Sequence, residues 1–255
     1  MASTSIKHKN LSTGEIEAHV LAQIERLRSP GVRLEDARRL APWRSANVQA
    51  ALNRLVRKGR LIRLARGRYY LATADPTQAA CHAWAPSYVS FLTVLADAGF
   101  TDQIPGRLDL AYAQTTLRRR DWRGLPMTWH PIPPDAFQGY HARPDGVLAA
   151  TPAKAAADLV HRQRDFGGLT PYRGMIEGAL RRRPRPEIRD ALEAYRAHSG
   201  TLRRLLLLKF GKRAPAADWA GLVPSDLHNP IPLDPLADRN RSENRTPLNV
   251  LEAAR

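Results

Sequence analysis

Residues 45–71, SANVQAALNRLVRKGRLIRLARGRYYL, contain a helical pattern followed at once by two strand patterns. Ser45 can cap a helix that runs to Lys58, because its hydroxyl can accept from free N–H groups of the first turn. Gly59 is a typical helix stop. Beyond it, residues 60–64 and 68–71 flank a turn that contains Gly67, a pattern typical of a β-hairpin. The stretch therefore predicts a helix followed by a basic hairpin.

Two shorter helical patterns precede this stretch. Residues 15–28 carry apolar side chains at a spacing near 3.6 residues, and the pattern ends before Pro30. Residues 34–40 predict a second helix, which Pro42 interrupts. Three helices followed by a basic hairpin predict an N-terminal winged helix-turn-helix.

The third helix has one apolar face and one polar face. Val48, Leu52 and Leu55 share the apolar face, while amides, arginines and alanines occupy the opposite side. Amides can pair with adenine edges, arginines with guanine or phosphate, and alanines allow close approach, so this face suits a major groove. The hairpin arginines would contact the phosphate backbone or a minor groove. The candidate DNA-binding residues are Arg44, Ser45, Asn47, Gln49, Asn53, Arg54, Arg57, Lys58, Arg63, Arg66 and Arg68.

Charge supports a polyanionic partner. The chain has 255 residues with 40 Lys+Arg against 24 Asp+Glu, a formal net charge of +16. Residues 1–72 have a net charge of +10, residues 73–172 of zero, residues 173–213 of +8 and residues 214–255 of −2. No acidic residue lies between Asp36 and Asp75. Double-stranded DNA is therefore the expected partner of the N-terminal block, and a winged helix used only for protein contacts is the alternative.

The remainder of the chain predicts a second domain. A helix over 88–98, strands over 107–113, 127–132 and 146–150, and a helix over 152–164 indicate a small α/β domain. Helices are then expected over 172–180, 187–198 and 201–210, with irregular segments from Leu222. The predicted fold class is α+β, with a winged-helix domain over 1–75 and an α/β plus helical domain over 84–255.

Several classes of site and location are not expected. Cys81 is the only cysteine, so no disulfide within the chain or Cys-rich zinc site can form. No window has the roughly 20 apolar residues of a membrane span, and no secretory signal precedes the first helix, so we expect a cytoplasmic protein with no membrane partner.

Few residues suggest catalysis. His130, His141 and Asp145 match no metal-ligand spacing, and Asp158 with His161 is more typical of a surface hydrogen bond on a helix. We expect no metal, no cofactor and no enzyme activity. Ser87 is expected to cap the helix that follows it.

A second basic block joins two of the later helices. Arg181, Arg182, Arg183 and Arg185 form a solvated loop in the simplest interpretation. The alternatives are further phosphate contacts or a surface for a protein or RNA-bound partner, between which electrostatics alone cannot choose.

Several motifs resemble one known family. Residues 59–69 (GRLIRLARGRY), 86–90 (PSYVS) and 95–99 (LADAG) resemble the AbiEi family, the antitoxins of type IV (AbiE-type) toxin–antitoxin systems. Residues 146–152 (GVLAATP), with Lys154, Ala155 and Asp158, are similar to the family's A-T-P-E-K-A-L-x-D stretch, although Ala153 stands where the family pattern has Glu. The resemblance covers about residues 15–165.

The resemblance implies a protein with two activities. The winged helix would repress its own operon, and the remainder would neutralise a co-encoded nucleotidyltransferase-like toxin. Because one winged helix covers about one half-site, two copies on a promoter inverted repeat are expected. There are two alternatives: a nuclease-like defence enzyme targeted by the winged helix, and a ligand-responsive regulator. A nuclease site needs two acids and a lysine, and Asp109 with Lys154 lacks the second acid.

Overall fold

A computed structural model shows a mixed α+β chain. It describes residues 12–27, 29–40, 45–211, 213, 217–225, 227, 229–234, 236, 243–245, 248 and 250–253. The chain divides into two compact units. The first contains the described residues up to Ala85 together with Arg120–Gly124, and the second contains those of Pro86–Arg119 and Leu125–Arg255.

The first unit alternates helices with a small sheet. Its elements are α1 (Thr13–Arg26), β1 (Gly31–Arg33), α2 (Leu34–Leu40), α3 (Ser45–Arg57), β2 (Leu61–Ala65), β3 (Arg68–Leu71) and α4 (Pro76–Ala83). Ser12 and Glu15 form a capping box at the start of α1, and the Asp75 carboxylate accepts from two N–H groups in the first turn of α4. The strand order is β1-β3-β2, with both pairs antiparallel.

The core of the first unit joins its helices to its sheet. Ile24 of α1, Val48 and Leu52 of α3, and Tyr69 of β3 belong to one buried cluster. Strand β1 was not predicted, because three residues carry no periodicity. Gly31 lets this strand approach β3, since a Cβ there would stand 2.2 Å from the Tyr69 carbonyl oxygen.

The first unit extends beyond the boundary predicted at residue 75. It includes α4 and the segment Arg120–Gly124, which is distant from it in sequence. In that segment Trp122 is buried, with its ring 6.2 Å from that of Tyr70, and the Arg120 Nε donates to the Leu64 carbonyl oxygen at 2.9 Å. A contiguous N-terminal fragment would therefore lack part of this unit.

The second unit combines a mixed sheet with a helical layer. Its strands are β4 (Ser87–Val89), β5 (Leu108–Tyr112), β6 (Arg118–Trp122), β7 (Leu125–Pro131), β8 (Tyr140–Ala142) and β9 (Leu148–Ala150). Its helices are α5 (Phe91–Asp97), α6 (Pro152–His161), α7 (Arg173–Arg182), α8 (Arg185–Glu193) and α9 (Ser199–Phe210). The sheet order is β6-β7-β5-β4-β9-β8. Arg118 and Arg119 of β6 belong to this unit, and its residues from Arg120 belong to the first.

Helix α6 lies at the centre of this unit. It packs against α5, α7, α8 and α9, and its residues 153–160 are all buried. Thr151 caps its first turn by accepting from the Lys154 N–H at 3.2 Å, and Pro152 occupies the first turn, where it has no N–H to lose. The predicted helix over 152–164 ends at His161, and Gln163–Phe166 forms a 3-10 turn.

Three predictions for this region were wrong. The helix expected over 88–98 begins only at Phe91, because Tyr88 and Val89 lie in β4 and pair with β5 and β9. Ser87 therefore lies in a strand and caps no helix. The segments after Leu222 are not wholly irregular, since β10 (Ile231–Pro232), β11 (Glu243–Arg245) and β12 (Val250–Ala253) form a small sheet of order β10-β12-β11. Such pairings between distant short segments leave no local periodicity in the sequence.

Candidate nucleic-acid interface

Helix α3 presents a polar face to solvent. Val48 and Leu52 are fully buried, whereas Asn47, Gln49 and Arg57 are exposed. Its first turn contains no acidic residue and its last turn carries Arg54 and Arg57. Arg54 is half-buried. Exposed amides and guanidinium groups on one helix face are the groups that contact base edges and phosphates.

Three of the predicted contact residues on α3 or directly after it have partners within the unit, and one of them is Gln49, whose Oε1 accepts from the Arg38 Nη2 at 3.2 Å. Asn53 is half-buried, and its Oδ1 accepts from the Tyr69 hydroxyl at 3.3 Å, so this amide faces β3. The Lys58 Nζ lies 2.5 Å from the Glu17 Oε2 on α1. Helical periodicity placed Asn53 on the polar face because it takes no account of packing from neighbouring elements. Asn53 and Lys58 therefore help to hold α3 in place, through contacts with β3 and α1.

The basic hairpin consists of β2, β3 and the turn at Arg66 and Gly67. Gly67 has a φ of +71°, which an L residue rarely adopts, and this explains the glycine at the turn. Arg63 and Arg66 are exposed, as expected for phosphate contacts. Arg68 is different, because it donates to the Ala83 carbonyl oxygen and lies over the Trp84 ring at 5.8 Å. Arg68 was predicted as a DNA contact; in the structure it anchors the end of α4.

Some of the predicted residues cannot be placed. Arg44 lies outside the described residues, as does the side chain of Ser45, although Ser45 is the first residue of α3. The cap predicted for Ser45 is untested for the same reason.

An arginine cleft lies between α2, α3 and the basic hairpin. Its volume is about 470 Å³. The residues that matter for its chemistry are Arg33, Arg38, Arg63, Arg66, Arg68 and Gln49. Arg33 and Arg38 were not among the predicted contact residues, because neither lies on α3 or the hairpin. The signal for Arg38 was the acid-free run that begins just after Asp36, whereas Arg33 lies before that run.

The electrostatics at the base of the hairpin reflect the same excess of arginine. The pKa of His82 is lowered, first by burial and then by the positive charges of Arg33 and Arg68. Burial raises the pKa of Tyr70 to about 12, against the opposing effect of the same two arginines. The Tyr70 hydroxyl oxygen lies 3.3 Å from the His82 Nδ1. Both groups are therefore neutral near pH 7 and add no charge of their own to that of the arginines.

No protein-family model and no curated protein matches this chain. Function is therefore inferred from the chemistry of these surfaces.

The second basic block is largely engaged within its own unit. Arg181 donates to the Leu208 and Lys209 carbonyl oxygens at 3.3 Å each, at the carboxyl end of α9. Arg185 lies over the Trp219 ring at 5.3 Å. Cations at the carboxyl end of a helix satisfy its free carbonyl groups. These two arginines therefore hold helices together, and Arg182 is exposed.

Arg183 supports the first turn of α6. Its Nε donates to the Glu187 carboxylate at 2.9 Å, and the Glu187 Oε1 accepts from the Ala153 N–H at 3.1 Å. A carboxylate at a helix N-terminus is favourable, because it satisfies a free N–H and complements the helix dipole. Ala153 is the position at which the AbiEi pattern has Glu. Here a glutamate from α8 brings a carboxylate to the same turn.

His130 is not brought together with His141 or Asp145. Its Nε2 lies 2.9 Å from the Asp109 Oδ1, and its Nδ1 lies 3.0 Å from the Asp165 Oδ2. His141 is exposed on β8. Among the described residues, no group of three or more His, Cys, Asp and Glu side chains is placed to hold a metal ion.

Asp158 is not a surface residue, so that interpretation was wrong. It is fully buried in a network with Lys154, which donates to its Oδ1. The Tyr195 hydroxyl donates to Oδ1 at 2.6 Å, and the hydroxyls of Ser90 and Tyr88 donate to Oδ2 at 2.6 and 3.1 Å. The periodicity of α6 could not show this, because the hydroxyl donors come from β4, from the turn after α8 and from the residue before α5. His161 donates to or accepts from Thr201, with Nδ1 and Oγ1 3.0 Å apart.

This network joins two of the motifs that carry the family resemblance. Tyr88 and Ser90 belong to PSYVS, and Lys154 and Asp158 belong to the stretch after GVLAATP. All four side chains are buried in the core of the second unit. These four motif residues therefore contribute to the packing of the second unit. Asp109 and Lys154 have different partners, so they form no joint acid and lysine site.

Proposed function

We propose that this protein is a sequence-specific double-stranded-DNA-binding repressor of transcription, with a winged helix-turn-helix as its first unit. The observation that carries the proposal is the pairing of an exposed amide and arginine face on α3 with exposed arginines on the adjacent basic hairpin. The order helix, strand, helix, helix, strand, strand, with sheet order β1-β3-β2, supports a winged helix. Binding to chromosomal DNA would place the protein in the cytoplasm.

The exposed residues divide into two roles. Asn47, Gln49 and Arg57 are on the side of α3 that would enter a major groove and contact base edges. Arg63 and Arg66 would contact phosphates, which positions the helix without specifying a sequence. Two copies on a promoter inverted repeat would give the protein enough base contacts for useful specificity.

The second activity in the proposal is that of an antitoxin. The resemblance to the AbiEi family supports neutralisation of a co-encoded nucleotidyltransferase-like toxin by the second unit. The buried network of Tyr88, Ser90, Lys154 and Asp158 supports a shared fold core, since all four belong to the quoted motifs. We propose no enzyme activity and no cofactor for either unit.

The DNA-binding proposal is tested with the full chain and its own promoter DNA. If about six phosphates are contacted, log K falls with log salt with a slope near −5. Asn47→Ala is expected to relax preference at one base position, at a cost of about 1–3 kcal/mol. Arg66→Gln is expected to weaken all sequences alike and to reduce the salt slope by about 1. Arg189→Gln, an exposed arginine of α8, is the charge-matched control. Affinity that is independent of salt and of sequence would refute the proposal.

The antitoxin proposal needs a separate assay. A full-length variant with Asn47→Ala and Arg57→Gln is expected to lose repression of a promoter reporter while it still protects cells that express the toxin. The full chain is used because residues 120–124 belong to the first unit, so no simple truncation separates the two. Loss of protection together with repression would contradict the assignment of the two activities to different units.

A further inference from the structure

The arginine cleft has an unbalanced charge. Five of its described lining residues are arginines and one, Glu35, is a carboxylate. Guanidinium groups that face one another across a cleft repel, and an anion between them removes that repulsion. Its volume of about 470 Å³ lies in the range of small-molecule sites, roughly 300–1,000 Å³. The cleft is therefore large enough for more than a single water-sized anion.

Arg38 contributes the most specific feature. Its Nη2 donates to the Gln49 Oε1 at 3.2 Å, which links the guanidinium group to α3. Its Nε is buried and donates to no group of the described residues. A buried N–H donor without an acceptor is costly, by a free energy comparable to a lost hydrogen bond. An acceptor oxygen in the cleft would satisfy it after a shift of the side chain that uncovers the Nε.

Two further arginines complete the donor set. Arg66 is exposed in the hairpin turn, and Arg63 lies over the Tyr69 ring, with its guanidinium carbon 6.0 Å from the ring centroid. A guanidinium group held in place by stacking or by a hydrogen bond loses less freedom when it binds an oxyanion. Planar guanidinium forks also match the geometry of phosphate oxygens.

We propose that the arginine cleft is a phosphate-binding site in which Arg38 and Arg66 grip phosphate oxygens. It rests partly on the proposed function, because a phosphate of the DNA backbone is one source of this ligand. The other source is a free phosphorylated small molecule, which would then compete with DNA for the same arginines. Both sources share the chemistry of a dense phosphate charge.

Tripolyphosphate is the probe, titrated into the full chain at low ionic strength and followed by calorimetry. We expect saturable binding that Arg38→Gln weakens about tenfold, the effect of one charge-assisted hydrogen bond. Arg39→Gln is the matched control, because Arg39 is the next residue of α2, is exposed and does not line the cleft. Arg66→Gln is a second test variant, since this turn residue can be replaced without disturbing a helix. Thermal unfolding confirms that each variant is folded.

The outcomes separate the cleft from the proposed function. Absence of saturable binding, or equal weakening by Arg38→Gln and Arg39→Gln, would overturn the cleft site. If promoter DNA displaces the tripolyphosphate, the site belongs to backbone phosphates. If the protein holds tripolyphosphate and DNA together, the ligand is a free phosphorylated molecule. Tripolyphosphate binding by a chain that binds no DNA would refute the proposed function and leave the phosphate site intact.

Discussion

The buried network around Asp158 predicts an asymmetric response to the loss of its two charges. Lys154 and Asp158 are both fully buried, so each depends on the other and on the surrounding hydroxyls. Burial lowers the pKa of Lys154, and the neighbouring Asp158 opposes that shift. When Asp158→Ala removes the carboxylate, the ammonium keeps one hydrogen-bond partner among the described residues, the Tyr88 hydroxyl 2.9 Å away. It also stays over the rings of Tyr88 and Tyr195, whose faces attract a cation more weakly than a carboxylate does. When Lys154→Met removes the ammonium, the carboxylate keeps three hydroxyl donors, from Tyr88, Ser90 and Tyr195.

The expected magnitudes follow from these partners. Breaking a buried ion pair by removal of one partner typically costs about 3–5 kcal/mol, because the remaining charge is left uncompensated. We expect Asp158→Ala to fall in that range. We expect Lys154→Met to lower the free energy of unfolding by a smaller amount, about 1–3 kcal/mol. The carboxylate keeps three hydroxyl donors, and each hydrogen bond to a charged group stabilises by about 1.5–3 kcal/mol. The double variant Lys154→Met with Asp158→Leu should be more stable than Asp158→Ala alone, because it buries no charge.

Native-state hydrogen exchange of the α6 amides measures these differences within the second unit. Exchange of the α3 amides in the same samples serves as an internal control, because α3 belongs to the first unit. If Asp158→Ala lowers the free energy of unfolding by less than about 1 kcal/mol, the Lys154 ammonium does not depend on Asp158 in the buried core. An equal loss in the two single variants would refute the argument from the hydroxyl donors.

Three further predictions concern other parts of the chain. The pKa of His161 is lowered from 6.5 to about 4, first by burial and then by the charge of His198. Between pH 6.5 and about pH 4 the unfolded chain therefore binds more protons than the native chain. The second unit should then lose about 2 kcal/mol between neutral pH and about pH 5, a loss that His161→Gln removes and that urea unfolding against pH measures. Trp122→Ala should destabilise the first unit by about 3–5 kcal/mol in hydrogen exchange of α3, and unchanged exchange would contradict the inclusion of Arg120–Gly124 in that unit. Arg183→Glu should repel Glu187 and lower the melting temperature, whereas Arg182→Glu should not; equal effects would contradict the role of Glu187 as a cap for α6.

The α3 and hairpin segments show which parts of the fold local sequence patterns can predict. Helix α3 and strands β2 and β3 lie within one residue of the predicted bounds, and Val48, Leu52 and Leu55 are buried as the periodicity predicts. These elements were predictable because their apolar spacing, helix stop and turn glycine all occur within 27 consecutive residues. The mixed α+β class followed in the same way from the order of such local patterns.

The partners of individual polar side chains were decided by the tertiary structure alone. Asn53, Lys58 and Arg68 are residue types that DNA-binding surfaces contain, yet each contacts a group from another element of the first unit. Asp158 has the sequence environment of an exposed helix residue, and it is the centre of a buried network. Helical periodicity assigns a side chain to a face of its own helix, whereas burial depends on what other elements pack against that face. Those elements are distant in sequence, so amino-acid order determined the local elements and the charge excess, and only the packed chain determined which charges are available to a ligand.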